Sequence, residues 1–122
     1  MNISIRCNSN CTILDLDGKL VFGPATMLLR NTVRDAAQNK PRKIVLNMRK
    51  VSYIDSNGID ELISSFTHVR NQDGKLVLLD LPGRIRSLLV MYRLNKVFDI
   101  FDDEQSAIAD SRENLQEQRM AG

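Results

Sequence analysis

Aromatic side chains are scarce in this 122-residue chain: two tyrosines, four phenylalanines and no tryptophan. None is spaced as a stacking platform, and the net charge of only +2 comes from scattered lysines and arginines. A nucleic-acid interface is therefore not expected. Lys40, Arg42, Lys43, Arg49 and Lys50 flank one short apolar segment and read as a solvated rim. Histidine is scarcer still. The single His68 falls inside a helical pattern, far from Cys7 and Cys11, so no metal site or histidine-activated nucleophile is expected. The two cysteines bracket a three-residue loop and are expected as reduced structural thiols. No stretch approaches the ~20 apolar residues of a membrane span, and no signal peptide precedes the first strand pattern. The expectation is a cytoplasmic protein with no membrane contact and no cofactor.

What the chain does have is an ordinary globular composition, 43% apolar and 26% charged, at a length that buries one core without staples. Ile3, Ile5 and Cys7 alternate with polar residues, as in a half-buried strand. A second strand follows at residues 11–16. Gly18 and Gly23-Pro24 then punctuate the chain, and a helix is expected over 24–39, with Leu29, Val33, Ala36 and Ala37 on one face. A short strand at 43–47 precedes a second helix over 57–71, closed by Asp73-Gly74. A strand at 75–79 is followed by a helix opened by Pro82, whose apolar face is Ile85, Leu88, Leu89 and Tyr92. A strand at 97–101 and a polar helix at 103–117 end the pattern. This order predicts an α/β fold: a mixed, mostly parallel β-sheet with an antiparallel N-terminal strand pair, packed with about four helices. Residues 1–110 are expected as one domain and 111–122 as a polar tail.

The most informative segment is Val51-Ser52-Tyr53-Ile54-Asp55-Ser56-Asn57-Gly58-Ile59. An apolar strand leads toward it, and a 3.6-residue repeat (Ile59, Leu62, Ile63, Phe66) begins within it. Asn57-Gly58 is a common hairpin turn, but the helical repeat that follows excludes one. Ser56 or Asn57 is expected to cap the helix, a contribution of about 1 kcal/mol. The positive end of the helix dipole there tolerates a phosphate on the Ser56 hydroxyl. Asp55 adjoins Ser56, and Asp60 and Glu61 are expected in the first helical turn. A phosphate, adding roughly −1.5 to −2 charges, would join three carboxylates and repel an acidic partner.

Two enzyme-like readings compete. Asp15-Leu16-Asp17-Gly18 resembles the first motif of haloacid-dehalogenase phosphohydrolases, although Lys19 replaces the usual Thr or Val and only Asp102-Asp103 offers the distant acidic pair. Alternation places Asp15 and Asp17 opposite Leu14 and Leu16, as solvent-facing carboxylates. A two-component receiver is suggested by Asp55 at a strand end. Lys75, however, begins a strand rather than ending one, and no acidic pair follows the first strand.

The segments 44–47, 51–59, 73–79 and 94–98 together resemble STAS domains, and most of all the bacterial anti-sigma factor antagonists. The resemblance covers most of residues 11–110. It implies that the protein is not an enzyme. It implies that Ser56 is phosphorylated by a partner anti-sigma factor, a serine kinase with a histidine-kinase-like ATPase fold. The unmodified form binds that partner, the phosphorylated form is released, and a PP2C-type phosphatase restores it. Asp55, Asn57, Gly58 and Ile59, with Leu20, Val21 and Phe22 on the neighbouring loop, are the implied partner-binding residues. The chain departs from the family at Asn57, usually Ser or Thr, and at Gly18-Lys19-Leu20-Val21, where two acidic residues are usual. Arg93 stands where a glycine commonly ends the third helix. The rival reading is a STAS scaffold or transporter-accessory subunit that works without phosphorylation.

Overall fold

Five strands form one sheet in chain order, and each connection after the first hairpin carries a helix. The computed structural model describes residues 1–7, 11–39 and 43–109. Strand β1 (Asn2–Cys7) pairs antiparallel with β2 (Thr12–Leu20). Strands β3 (Lys43–Ile54), β4 (Lys75–Leu79) and β5 (Ile100–Phe101) then add in parallel. Helices α1 (Pro24–Ala37), α2 (Ser56–Asn71) and α3 (Gly83–Met91) lie between them, and α4 (Glu104–Ala109) follows β5. This is the expected α/β architecture.

The central strands read as continuous apolar runs because both of their faces are covered. Leu14, Leu16, Ile44, Leu46, Leu76 and Leu78 pack against α1, α2 and α3. Ile13, Val45, Val77 and Leu79 face the other way, toward Ala107 of α4. Burial of each such side chain contributes about 1.5–3 kcal/mol.

Several boundaries differ from the sequence pattern. Strand β3 continues seven residues past Asn47, to Ile54. Its register against β2 shifts between Asp15 and Asp17 and again between Gly18 and Lys19. At each shift β3 carries an extra residue, so Met48, Val51 and Ile54 are buried while Arg49, Lys50, Ser52 and Tyr53 are exposed. The bulges turn a period of two into a period of three. In β1, Ile3 packs against the core but Ile5 and Cys7 are exposed, so the expected half-buried face is realised only at its start. Cys7 is exposed and Cys11 buried, and no disulfide joins them.

The helix ends also depart in detail. Asp73 (φ 60), rather than Gly74, takes the left-handed conformation that closes α2, and the N–H of Gly74 bonds back to the Val69 carbonyl at 2.9 Å. Arg93 (φ 61) does the same after α3, so the position where glycine is common keeps its geometry without the glycine. Tyr92 is 55% exposed and does not belong to the buried face of α3. The last strand is only Ile100–Phe101, preceded by a 3-10 turn at Leu94–Lys96. Helix α4 begins at Glu104, one residue after the expected start, and the remainder of the expected 103–117 helix and the tail at 111–122 fall outside the described residues.

Candidate functional site

The junction between β3 and α2 is organised by Asp55, not by the serine that follows it. Asp55 is the N-cap of α2: its Oδ1 accepts from the Gly58 N–H at 2.8 Å, while Oδ2 accepts from the Phe22 N–H at 3.0 Å. One carboxylate thus ties the β3–α2 loop to the β2–α1 loop. The expectation that Ser56 or Asn57 caps the helix is corrected. An aspartate at the strand end reaches forward to the third helical N–H, which the first helical residue cannot do. Ser56 occupies that first position and is exposed.

Beneath Ser56 the two loops touch. The Asp55 N–H bonds to the Leu20 carbonyl at 3.3 Å. A Cβ placed on Gly58 would lie 2.2 Å from that same oxygen and 2.7 Å from Ile54 Cγ1. Only glycine allows this approach. On the other loop Gly23 (φ 112) makes the turn into α1, with Thr26 Oγ1 donating to the Gly23 carbonyl at 3.0 Å. Phe22, just before the turn, is left 75% exposed.

The N–H groups of Phe22, first, and of Gly58 hold the Asp55 carboxyl below the usual carboxylate range. A carboxyl with a depressed folded-state pKa stabilises the fold above its ordinary value, about 3.9, and loses that contribution as the pH falls through the depressed value. Asp55→Asn should therefore be less stable than the parent by a constant margin above about pH 5. That margin should shrink on acidification below about pH 4, read as urea midpoints across the pH series.

The expected acidic rim is corrected as well. No acidic residue falls in the first turn of α2. Glu61 is 3% exposed and points into the α1–α2 interface, where Arg30 Nε donates to its Oε1 at 3.0 Å and Ser65 Oγ to its Oε2 at 3.4 Å. Both Asp55 oxygens are occupied, which leaves Asp60 as the exposed carboxylate of the three.

Two hollows flank Ser56. One, of about 430 Å³, lies between α1 and α2 and is lined by Phe22, Met27, Arg30, Asn57 and Asp60 among others. The other, of about 610 Å³, lies between the end of β3, α2 and α3 and is lined by Tyr53, Ser56, Ile59, Arg84, Met91 and Tyr92 among others. Phe22, Met27, Tyr53, Met91 and Tyr92 are each at least 48% exposed. Solvent-facing apolar groups of this size grouped around one loop are characteristic of an interaction surface.

The eight residues singled out from sequence are brought together here, with different roles. Ser56, Asn57 and Phe22 face solvent, Val21 and Asp55 are half-buried, and Gly58 and Ile59 are buried, with Ile59 lining the second hollow. Leu20 is completely buried and offers its neighbours a carbonyl rather than a side chain, so it is corrected from contact residue to support. Met27, Tyr53, Arg84, Met91 and Tyr92 were missed. The available signal was that Ile85 and Leu89 already complete the buried face of a nine-residue helix, which leaves Met91 and Tyr92 without a place in the core.

The enzyme-like readings meet committed carboxylates. Asp15 accepts from Arg6 Nε at 2.6 Å and Nη2 at 2.9 Å, and from Asn47 Nδ2 at 2.8 Å. Arg6, first, then Asn47 hold its carboxyl below the usual range against the opposing effect of burial. Arg6 reaches Glu104 as well, tying α4 to β1. Lys75 pairs with Asp99 at 3.2 Å. Among the described residues, no group of three or more His, Cys, Asp or Glu is arranged to hold a metal ion, and no helix is long and apolar enough to cross a membrane.

Fold and site together define a small α/β module that presents one fixed loop. The STAS domain family matches residues 2–107, and the chain belongs to it. It is 29% identical over 100 residues to the anti-sigma-B factor antagonist of Bacillus subtilis (strain 168), spanning 82% of this chain and 90% of that protein. It is 23% identical over 111 residues to the anti-sigma F factor antagonist of Paenibacillus polymyxa, spanning 90% and 94%. The solved Bacillus cell fate determinant SpoIIAA in its phosphorylated form shares the fold, with a TM-score of 0.70 at 19% identity, covering 91% of this chain and 100% of that one. So does a sulfate transporter family protein from Wolinella succinogenes, with a TM-score of 0.71 at 22% identity, covering 82% and 83%.

Proposed function

We propose that this protein is a cytoplasmic anti-sigma factor antagonist in a partner-switching pathway, with Ser56 as the phosphoacceptor. The observation that carries the reading is the placement of Ser56: an exposed hydroxyl on a loop fixed by Asp55 and Gly58, between two hollows edged by exposed apolar side chains. The relatives named as anti-sigma factor antagonists and the neighbour solved in a phosphorylated form support it. Unmodified, the rim of Phe22, Asn57 and Ile59, extended by Tyr53 and Met91, docks on an anti-sigma factor that is also a serine kinase with a histidine-kinase-like ATPase fold. Phosphorylation places about two negative charges at the centre of that contact and releases the partner. A PP2C-type phosphatase reverses it.

The test is incubation with the cognate kinase and ATP, read by intact mass. One phosphate should add to the parent and none to Ser56→Ala. Failure of every native kinase-fold partner to modify Ser56 would favour the phosphorylation-independent scaffold. Ser56→Asp should weaken partner binding at least tenfold by calorimetry while leaving the melting temperature nearly unchanged. An exposed first-turn position accepts an aspartate without strain and with a favourable dipole interaction. A large fall in melting temperature would assign Ser56 a structural role instead.

A further inference from the structure

We propose that a phosphate on Ser56 is held within the molecule by Arg84, as a guanidinium–phosphate pair across the hollow between α2 and α3. The inference rests on the reading of Ser56 as a phosphoacceptor and adds a receiver for the modification.

Ser56 and Arg84 line the same hollow, one from the first turn of α2 and the other from the first turn of α3. Arg84 is exposed, and no carboxylate pairs with it among the described residues. Arg86, two residues further along, is already committed to Asp102. Among the described residues the only other formally charged side chain lining the hollow is Asp55, and both of its oxygens are occupied by the Phe22 and Gly58 N–H groups. Arg84 is therefore a cation without an ion-pair partner among the described residues, in the same hollow as the Ser56 hydroxyl. Ser87, one turn further along α3, adds a second donor to the same wall. The remaining lining (Tyr53, Ile54, Ile59, Leu88, Met91, Tyr92) is largely apolar. The planar guanidinium matches two phosphate oxygens at once, which a lysine does not.

Such a pair gives phosphorylation a second consequence besides added negative charge. The phosphate is drawn toward α3 and fills the hollow beside Tyr53 and Met91, so the docking face is obstructed as well as recharged. The same pair partly shields the phosphate from a phosphatase.

The test installs phosphoserine at position 56 by genetic encoding, with no kinase, and follows its second ionisation by phosphorus NMR. In the parent the phosphate should titrate about half a pH unit or more below its midpoint in the Arg84→Gln variant, because a paired cation favours the dianion. The dipole of α2 is common to both and cancels. Arg86→Gln is the control for general charge and should leave the midpoint where it is. Coincident titrations in the parent and Arg84→Gln, or an equal displacement in Arg86→Gln, would overturn the proposal. Matching melting temperatures of the unmodified proteins establish that each variant is folded. Because no kinase takes part, failure here leaves Ser56 standing as a phosphoacceptor. Failure of kinases to modify Ser56 is read separately, by intact mass.

Discussion

Gly58→Ala is expected to be the most damaging single-methyl change in the molecule. The added carbon would sit 2.2 Å from the Leu20 carbonyl oxygen and 2.7 Å from Ile54 Cγ1. The nearer obstacle is backbone, and that oxygen also accepts the Asp55 N–H, so relief requires separating the two loops. Overpacking of this kind costs about 1–3 kcal/mol or more, and loss of the loop-to-loop hydrogen bond adds about 1 kcal/mol. Against this stands a gain of about 1 kcal/mol in helix propensity from replacing glycine. The net loss should be about 1–3 kcal/mol, a fall of roughly 4–12 °C in melting temperature for a domain of this size, measured by circular dichroism. An unchanged or raised melting temperature would show that α2 moves away from Leu20 at no cost.

The second large effect is expected at the α1–α2 interface. Arg30→Ala strands Glu61, whose side chain is 3% exposed and whose other polar contact is the long one to Ser65. Breaking a buried ion pair from one side typically costs about 3–5 kcal/mol. Arg30 is itself 45% exposed, so water can approach the vacated site and the expected cost is about 2 kcal/mol. The double variant Arg30→Met, Glu61→Leu should recover most of that loss, because a well-packed apolar pair removes the desolvation cost of both charges. Urea unfolding of the parent, the singles and the double gives the coupling directly. A loss below about 0.5 kcal/mol in Arg30→Ala would mean that water solvates Glu61 as well as arginine does.

Much of this architecture was legible in the sequence because most of its elements have simple periods. Leu76 to Leu79 are a bare apolar run, so the strand at 75–79 agrees with the structure to the residue, and the spacing of Leu29, Val33 and Ala37 marks the buried face of α1. The end of β3 was not legible. Its two bulges bury every third residue, a rhythm that is neither strand nor helix, so the segment leading to Ser56 looked like a polar connection. Asp55-Ser56-Asn57-Gly58 lies at the junction of β3 and α2, as its pattern predicts, but the division of labour within that junction depends on contacts distant in sequence. Asp55 reaches Phe22, 33 residues away, and Arg30 reaches Glu61, 31 residues away. No local pattern reveals that one carboxylate is a tie between loops and another a buried ion-pair partner.

The tie made by Asp55 also constrains how the module can be regulated. Phe22 and Ser56 are separate features of the surface, but the first leans on one oxygen of a carboxylate whose other oxygen sets the helix on which the second stands. A displacement of the Phe22 backbone therefore pulls on the carboxylate that caps the helix carrying Ser56. Coupling of this kind is reciprocal: if a ligand held at the Phe22 loop shifts the start of α2, a change at the start of α2 shifts that ligand's affinity by the same factor. Asp55→Ala removes both bonds at once and should therefore loosen the start of α2 together with its link to Phe22.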